Sequence, residues 1–182
     1  ATALSTLGGK TGGTVTVSNA VVISGTTDQV TAALVTDETK VVASTALVTI
    51  TDAGTTDIDA TDLSAIGGKT GGTVTVSNAI NIQGDTDEVT AALVTDETKV
   101  VAASATVEIS DASSVAELNA LAPKAGVITG SIAASSLASL SGLSTAGTDL
   151  ITITVNDNAG DNLNATALST LGGKTGGTVT VS

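Results

Sequence analysis

The string GGKT, which occurs at Gly8–Thr11, Gly67–Thr70 and Gly172–Thr175, is the first place where this sequence could hold a ligand. A glycine-rich loop carrying Lys and Thr can cradle phosphate. The full pattern needs another glycine five residues before the one preceding the lysine, and this chain has Leu4, Leu63 and Leu168 there. It also needs a strand before the loop and a helix after it, the reverse of the order read here. The string therefore reads as a turn that stops a helix, with φ turning positive at the glycines. Acids form the second candidate. Asp57, Asp59 and Asp62 cluster, as do Asp157 and Asp161, and carboxylates are natural calcium ligands. Neither stretch fits an EF-hand loop or the glycine-rich nonapeptide of calcium β-rolls, so the expectation is solvated loop charge, no cofactor and no metal ligands, with calcium the one ion kept in view. Asp37, Glu38 and Lys40, repeated as Asp96, Glu97 and Lys99, read as a surface turn whose ion pairs are worth under about 1 kcal/mol. Carboxylate pairs can cleave glycosides, but such sites need a cleft that shifts a pKa, and nothing marks one. The chain reads as non-enzymatic, with no catalytic residue.

Composition narrows the chemistry further. The 182 residues include no Phe, Tyr, Trp, Cys, Met or His, and all six basic residues are Lys. Disulfides, thiolates and sulfur-bound metals are excluded, as is the one side chain that titrates near neutrality. A net charge of -12 repels phosphate backbones, and no aromatic is present to stack a base, so nucleic acid is not an expected partner. No apolar run approaches the roughly 20 residues of a membrane span, so membrane insertion is not expected either. The opening ATALSTLGGK shows no targeting signal.

Repetition dominates what remains. Shifting the chain by 59 positions aligns residues 1–55 with 60–114, with 40 of 55 pairs identical. Shifting it by 164 aligns Ala1–Ser18 with Ala165–Ser182, all 18 identical. The expectation is one continuous array over 1–182: a duplication of 1–59 and 60–114, divergent coils over 115–164, and a new period beginning at 165 within a longer array. Alternating runs close on Asn19, Asp52, Asn78, Asp111 and Asn158, each followed by Ala. With one irregular run near GVITGSIAA, six units of about 27 residues fill a period, a length typical of repeat folds.

Those runs read as strands. Val15, Val17, Val48, Ile50, Val74, Val76, Val107, Ile109, Ile151 and Ile153 share one parity and can face a common core, while Thr residues take the other parity. Apolar pairs such as Leu4/Leu7 and Leu63/Ile66 share the face of a short helix, with Asp28, Asp87 and Ser114 expected at N-caps. Two or three buried side chains yield about 4–8 kcal/mol, far below the cost of ordering about 27 residues, so no unit stands alone. The predicted fold is mainly β: a parallel β-solenoid with short helices or helical turns in each coil, the Asn and Asp corners forming a ladder that bonds the adjacent coil. The alternative is tandem immunoglobulin-like β-sandwiches, which the short units argue against.

LxxL segments feeding a GG turn, a TVTV strand and an Asn-Ala or Asp-Ala corner resemble the Thr/Ala/Val/Asp-rich repeat arrays of giant bacterial secreted or cell-surface proteins. The resemblance implies an extracellular or cell-surface fibre, sheath, surface layer or adhesin stalk. The expected function is a self-associating structural scaffold whose partners are adjacent repeats or identical chains. The alternative is the stalk of an adhesin or calcium-dependent binding protein, with divalent cations or surface glycans as partners. The outward pairs Thr14/Thr16, Thr49/Thr51, Thr73/Thr75 and Thr178/Thr180 also resemble the Thr ladders of some ice-binding proteins, though Glu108 and Ser110 interrupt the row.

Overall fold

Short amphipathic runs, most of them opened by a polar residue, alternate with β-branched runs along the chain. The computed structural model describes residues 1–95 and 97–182, so the expectation for Asp96 lies outside the described residues. Its first part runs α1 (Thr2–Gly8), β1 (Val15–Thr16), β2 (Val22–Gly25), α2 (Thr27–Leu34), β3 (Val41–Val42), β4 (Leu47–Ile50) and β5 (Asp57–Asp59). The second copy follows as α3 (Ala60–Gly67), β6 (Val74–Val76), β7 (Asn81–Gly84), α4 (Thr86–Leu93), β8 (Val100–Val101) and β9 (Thr106–Ser113). The divergent part contains α5 (Val115–Leu121), β10 (Val127–Ile132), α6 (Leu137–Leu140) and β11 (Leu150–Val155), before α7 (Ala165–Gly172) and β12 (Val179–Val181).

Helices this short are marginal alone. Three open on a capping box, in which Thr26 pairs with Gln29, Asp85 with Glu88, and Ser114 with Glu117. The caps of α2 and α4 thus lie two residues before Asp28 and Asp87, which occupy the first turn, where a negative charge suits the helix dipole. Each helix buries one face, Val30, Ala33 and Leu34 in α2 and Val89, Ala92 and Leu93 in α4.

The strands form three sheets, ordered β1-β3, β2-β4-β6-β8 and β5-β7-β9-β10-β11-β12, and every pairing among the described residues is parallel. Each strand therefore pairs with one from the next unit: Val48 with Val74, Val74 with Val100, Ile82 with Val107, and Val107 with Ile128. Between β9 and β10 the register shifts once, near Thr129–Ser131. One apolar core runs through all units, from Ile23 to Leu171.

The architecture corrects the expected fold class. The chain is mixed α/β, with three parallel sheets, seven α-helices among the described residues, and 31% helix against 27% strand, rather than a mainly β solenoid. Tandem sandwiches are overturned as well, since such folds pair their strands antiparallel. The physical reason lies in the corners. TVTV at 14–17 contributes only Val15–Thr16 to β1, the chain bends at Asn19–Ala20, and a second short strand follows, while helices of seven or eight residues consume as much chain as the strands.

The glycines after the helices also act differently from the expectation. Gly9, Gly68 and Gly173 keep right-handed φ values of -67°, -66° and -71°. What requires glycine is approach by the following unit: a Cβ on Gly8 would lie 2.0 Å from the Thr39 carbonyl oxygen, and one on Gly67 2.4 Å from that of Thr98.

Candidate functional site

Among the described residues no cleft gathers reactive side chains; what recurs is a set of contacts between one coil and the next. At the corners, the acid that ends a unit reaches back across one full coil to cap the start of that unit's own helix. The Asp52 carboxylate accepts from the Thr27 N–H at 2.7 Å and the Thr27 hydroxyl at 2.9 Å. Asp111 does the same for Thr86, at 2.8 and 2.6 Å. Asn78 donates its side-chain amide to the Asp52 carbonyl at 2.6 Å, extending the row. Asn19 is exposed, its carbonyl accepting from the Val21 N–H. In the divergent part the role falls to Asp157, whose carboxylate accepts from the Leu137 N–H at 2.8 Å, while Asn158 next to it is exposed. These acids satisfy donors at helix starts that have no partner within their own helix.

Among the strand positions singled out from the sequence, Val48, Ile50, Val74, Val76, Val107, Ile109, Ile151 and Ile153 are buried, and Val15 and Val17 half-buried. The latter two lie in the first unit, which is covered on one side.

The GGKT threonines are structural. Thr70 donates its hydroxyl to the Ala46 carbonyl of the preceding unit and accepts from the Gly72 N–H at 3.1 Å. Thr175 repeats the arrangement against Ile151 and Gly177. Lys40, in the turn expected to hold ion pairs, adopts a left-handed φ of 49° and donates to the Gly12 carbonyl at 2.8 Å. Thr39 and Thr98 are buried, each donating to the end of the preceding helix, at the carbonyls of Ala33 and Ala92.

Sequence reasoning missed Asp149. This buried carboxylate accepts from the Ile128 N–H with one oxygen and from the Ala146 N–H with the other, both at 2.8 Å, tying the loop before β11 to the start of β10. The one signal was an acid directly before a strand of alternating Ile and Thr.

The acidic clusters separate into different partnerships. Asp57 accepts from the Asn81 amide at 2.9 Å, which also reaches Glu108 at 3.2 Å across the outer face of β5, β7 and β9. That face carries a shallow depression of about 310 Å³ bordered by Thr55, Asp57, Asn81, Thr106, Glu108 and Thr129. The Asp62 carboxyl lies above its ordinary range, first through burial and then through the charges of Asp59 and Asp28. Asp161 accepts from the Asn158 N–H, away from the Leu137 N–H that Asp157 caps. Among the described residues, no three acids converge as metal ligands would. The Thr rows are short: Thr49 lies beside Thr75, but the next partner of Thr75 is Val101, and Thr16 pairs with Val42.

The two ends of the stack leave apolar surface uncovered. Leu7 of α1 is 54% exposed, whereas Ile66, its counterpart in α3, is 0% exposed between its two neighbours. At the other end β12 pairs on one edge only, and Val181 is 48% exposed. No described helix is long and apolar enough to cross a membrane. Comparison of the chain with family models, with curated proteins and with solved structures gives no match.

Proposed function

We propose that this chain is a non-enzymatic structural segment of an extended extracellular or cell-surface scaffold, in which stacked α/β units lend one another buried surface. The observation that carries the reading is the contrast between Ile66, fully covered between two neighbours, and Leu7, half exposed with one. A unit of this kind buries its apolar face only against neighbouring units. The bond from Asn78 to the Asp52 carbonyl and the close seats of Gly67 and Gly72 support the same reading, because each contact joins successive units. The acidic coat keeps neighbouring arrays apart in solution.

The test is a covalent tandem of two 164-residue periods. Electron microscopy should show a rod that lengthens by about six strand spacings, about 29 Å, for the added period. Melting should occur as one transition at a higher temperature than that of the 182-residue chain. Two beads with independent, unshifted melting would overturn the scaffold reading.

A further inference from the structure

Lysine occupies a single place in the coil. Lys10 follows α1, Lys40 α2, Lys69 α3, Lys99 α4, Lys124 α5 and Lys174 α7, always between a helix and the next strand. Stacking sets these turns in single file. The Gly8 seat lies against Thr39, beside Lys40, and the Gly67 seat against Thr98, beside Lys99. Lys40 and Lys69 border one shallow depression, Lys99 and Lys124 another. The turn after α6 continues the file, Ser144 donating to the Asn119 side chain of α5 and Thr145 to the Lys174 carbonyl. All but Lys174 are exposed, and among the described residues the one side-chain hydrogen bond from a lysine runs from Lys40 to the Gly12 carbonyl. Helix polarity does not account for the row, since the last turns of α1–α7 hold no basic residue.

The other end of the helix layer carries acids alone. Asp28, Asp62, Asp87 and Glu117 stand in first turns, and Asp52 and Asp111 cap helix starts. They crowd one another: the charges of Asp59 and Asp28 act on Asp62, and that of Asp111 on Glu117. A helix of eight residues holds the two edges about 12 Å apart. In the sequence Asp37, Glu38, Asp96 and Glu97 lie near the lysine positions, four acids among six lysines, whereas no lysine is left for the acidic edge.

Resting on the scaffold reading above, we infer that the lysine edge of one chain docks along the acidic edge of a second copy of this chain, so that stacks lie side by side as a sheet. Both edges are built from the same coils and repeat with the same strand spacing, about 4.8 Å. A copy shifted sideways therefore meets lysine with carboxylate at coil after coil. An unrelated polyanion has no such built-in match. The two edges differ, so the contact is heterologous and leaves a free edge on each outer copy, where the sheet grows. The acidic coat opposes approach at long range, and salt separates the two effects. At about 0.01 M the Debye length of about 30 Å lets whole coats repel, whereas at about 0.15 M it is about 8 Å and only the facing edges act.

Sedimentation equilibrium over a range of ionic strengths tests this with two charge-reversed variants. Wild type should stay monomeric at about 0.01 M salt, associate at about 0.15 M and dissociate again at about 1 M, where contact pairs are screened too. One variant carries Lys10→Glu, Lys69→Glu and Lys124→Glu. The other carries Asp28→Lys, Asp59→Lys and Asp87→Lys, at exposed acids that make none of the caps described above. Each alone should raise the half-association concentration at least about tenfold. An equal mixture should restore association, because the acidic edge of the first variant meets the lysine edge of the second. Each reversal changes the net charge of -12 by two, so both variants stay negative and overall charge does not explain the recovery. Should the aspartate variant fail to fold, the lysine variant decides: added to wild type, it occupies lysine edges and shortens the assemblies. The pairing is overturned if wild type is monomeric at every salt concentration, if a mixture of folded variants gains nothing, or if the lysine variant assembles as wild type does. Binding of polygalacturonate by a chain that remains monomeric overturns it as well. Any of these, beside a tandem that lengthens and melts as one, removes the edge pairing alone; independent melting of the tandem removes the scaffold reading itself.

Discussion

Asp111 accepts both the backbone N–H and the hydroxyl of Thr86 on a single carboxylate oxygen, at 2.8 and 2.6 Å, across 25 residues of chain. The acid ends the unit that the helix begins, so a contact that is ordinarily local within a helix here closes one whole coil onto its own start. Its removal should loosen stacking as well as fray α4. Asp111→Ala should cost about 1–2 kcal/mol in urea denaturation followed by far-UV circular dichroism, the chain having no aromatic fluorophore. In a double-mutant cycle, Thr86→Val and Asp111→Ala should be non-additive; additive losses would separate the two residues energetically.

The same contact sets a pH dependence. Thr86, first through its hydroxyl and then its N–H, holds the Asp111 carboxyl below the ordinary value of 3.8, and Ser114, N–H first, holds Glu117 below 4.5. Both groups are lowered by folding, so the stability they contribute is complete above those ordinary values. It is lost as pH falls through the lower folded values, where the unfolded chain binds more protons. Thermal melting followed by circular dichroism should therefore hold steady down to about pH 4.5 and then decline. The decline should be shallower in Asp111→Asn with Glu117→Gln.

Asp62 has the opposite sign. Burial and then the charges of Asp59 and Asp28 raise its carboxyl pKa, so the folded state disfavours its ionised form. Its cost is present above the raised value and relieved as pH falls through it. Asp62→Asn should raise the melting temperature modestly at neutral pH, with the gain vanishing in acid. An equal gain at all pH values would assign the effect to something other than charge.

Close approach between units gives a steric prediction. A Cβ on Gly67 would meet the Thr98 carbonyl oxygen at 2.4 Å, and one on Gly72 that of Ala46 at 2.2 Å. Gly67→Ala and Gly72→Ala should each cost about 1–3 kcal/mol. Gly12→Ala, with nothing within 4 Å of its Cβ, is the control and should be near neutral in the same denaturation assay.

Asp149 should be the most sensitive acid in the divergent part. Asp149→Ala leaves the N–H groups of Ile128 and Ala146 without their acceptor, at a cost of about 2–4 kcal/mol. Asp149→Asn keeps one acceptor and should lose less. Hydrogen exchange at Ile128, read by NMR, should report the opening directly.

Much of the neighbour dependence was legible because periodicity and small side chains leave a single unit short of core. The inward parity of Val48, Ile50, Val74 and Ile151 follows from alternation alone, and Ser114 stands where its capping box requires. The balance of helix and strand was not legible, because alternation in TVTVSNAVVIS cannot reveal that the chain bends at Asn19 and splits one apparent strand into β1 and β2. Caps were displaced for a similar reason: Asp28 and Thr26 both suit a helix start, and only the backbone decides that Thr26 accepts from Gln29. Local pattern gives Gly8 a left-handed φ as its reason, whereas its need arises from Thr39, a neighbour 31 positions away that no local pattern names. Asp157 rather than Asn158 caps α6, in a coil of 20 residues between donor and acid where Asp52 and Asp111 close coils of 25.

Strand partners stand 26 residues apart at Val48 and Val74 but 21 apart at Val107 and Ile128, and yet both pairs lie in register. The ladder thus tolerates loops of unequal length, and it reads layers rather than residue numbers. Recombination between near-identical stretches can therefore add or delete whole layers in a descendant protein without disturbing any seat that survives, making span a readily heritable variable.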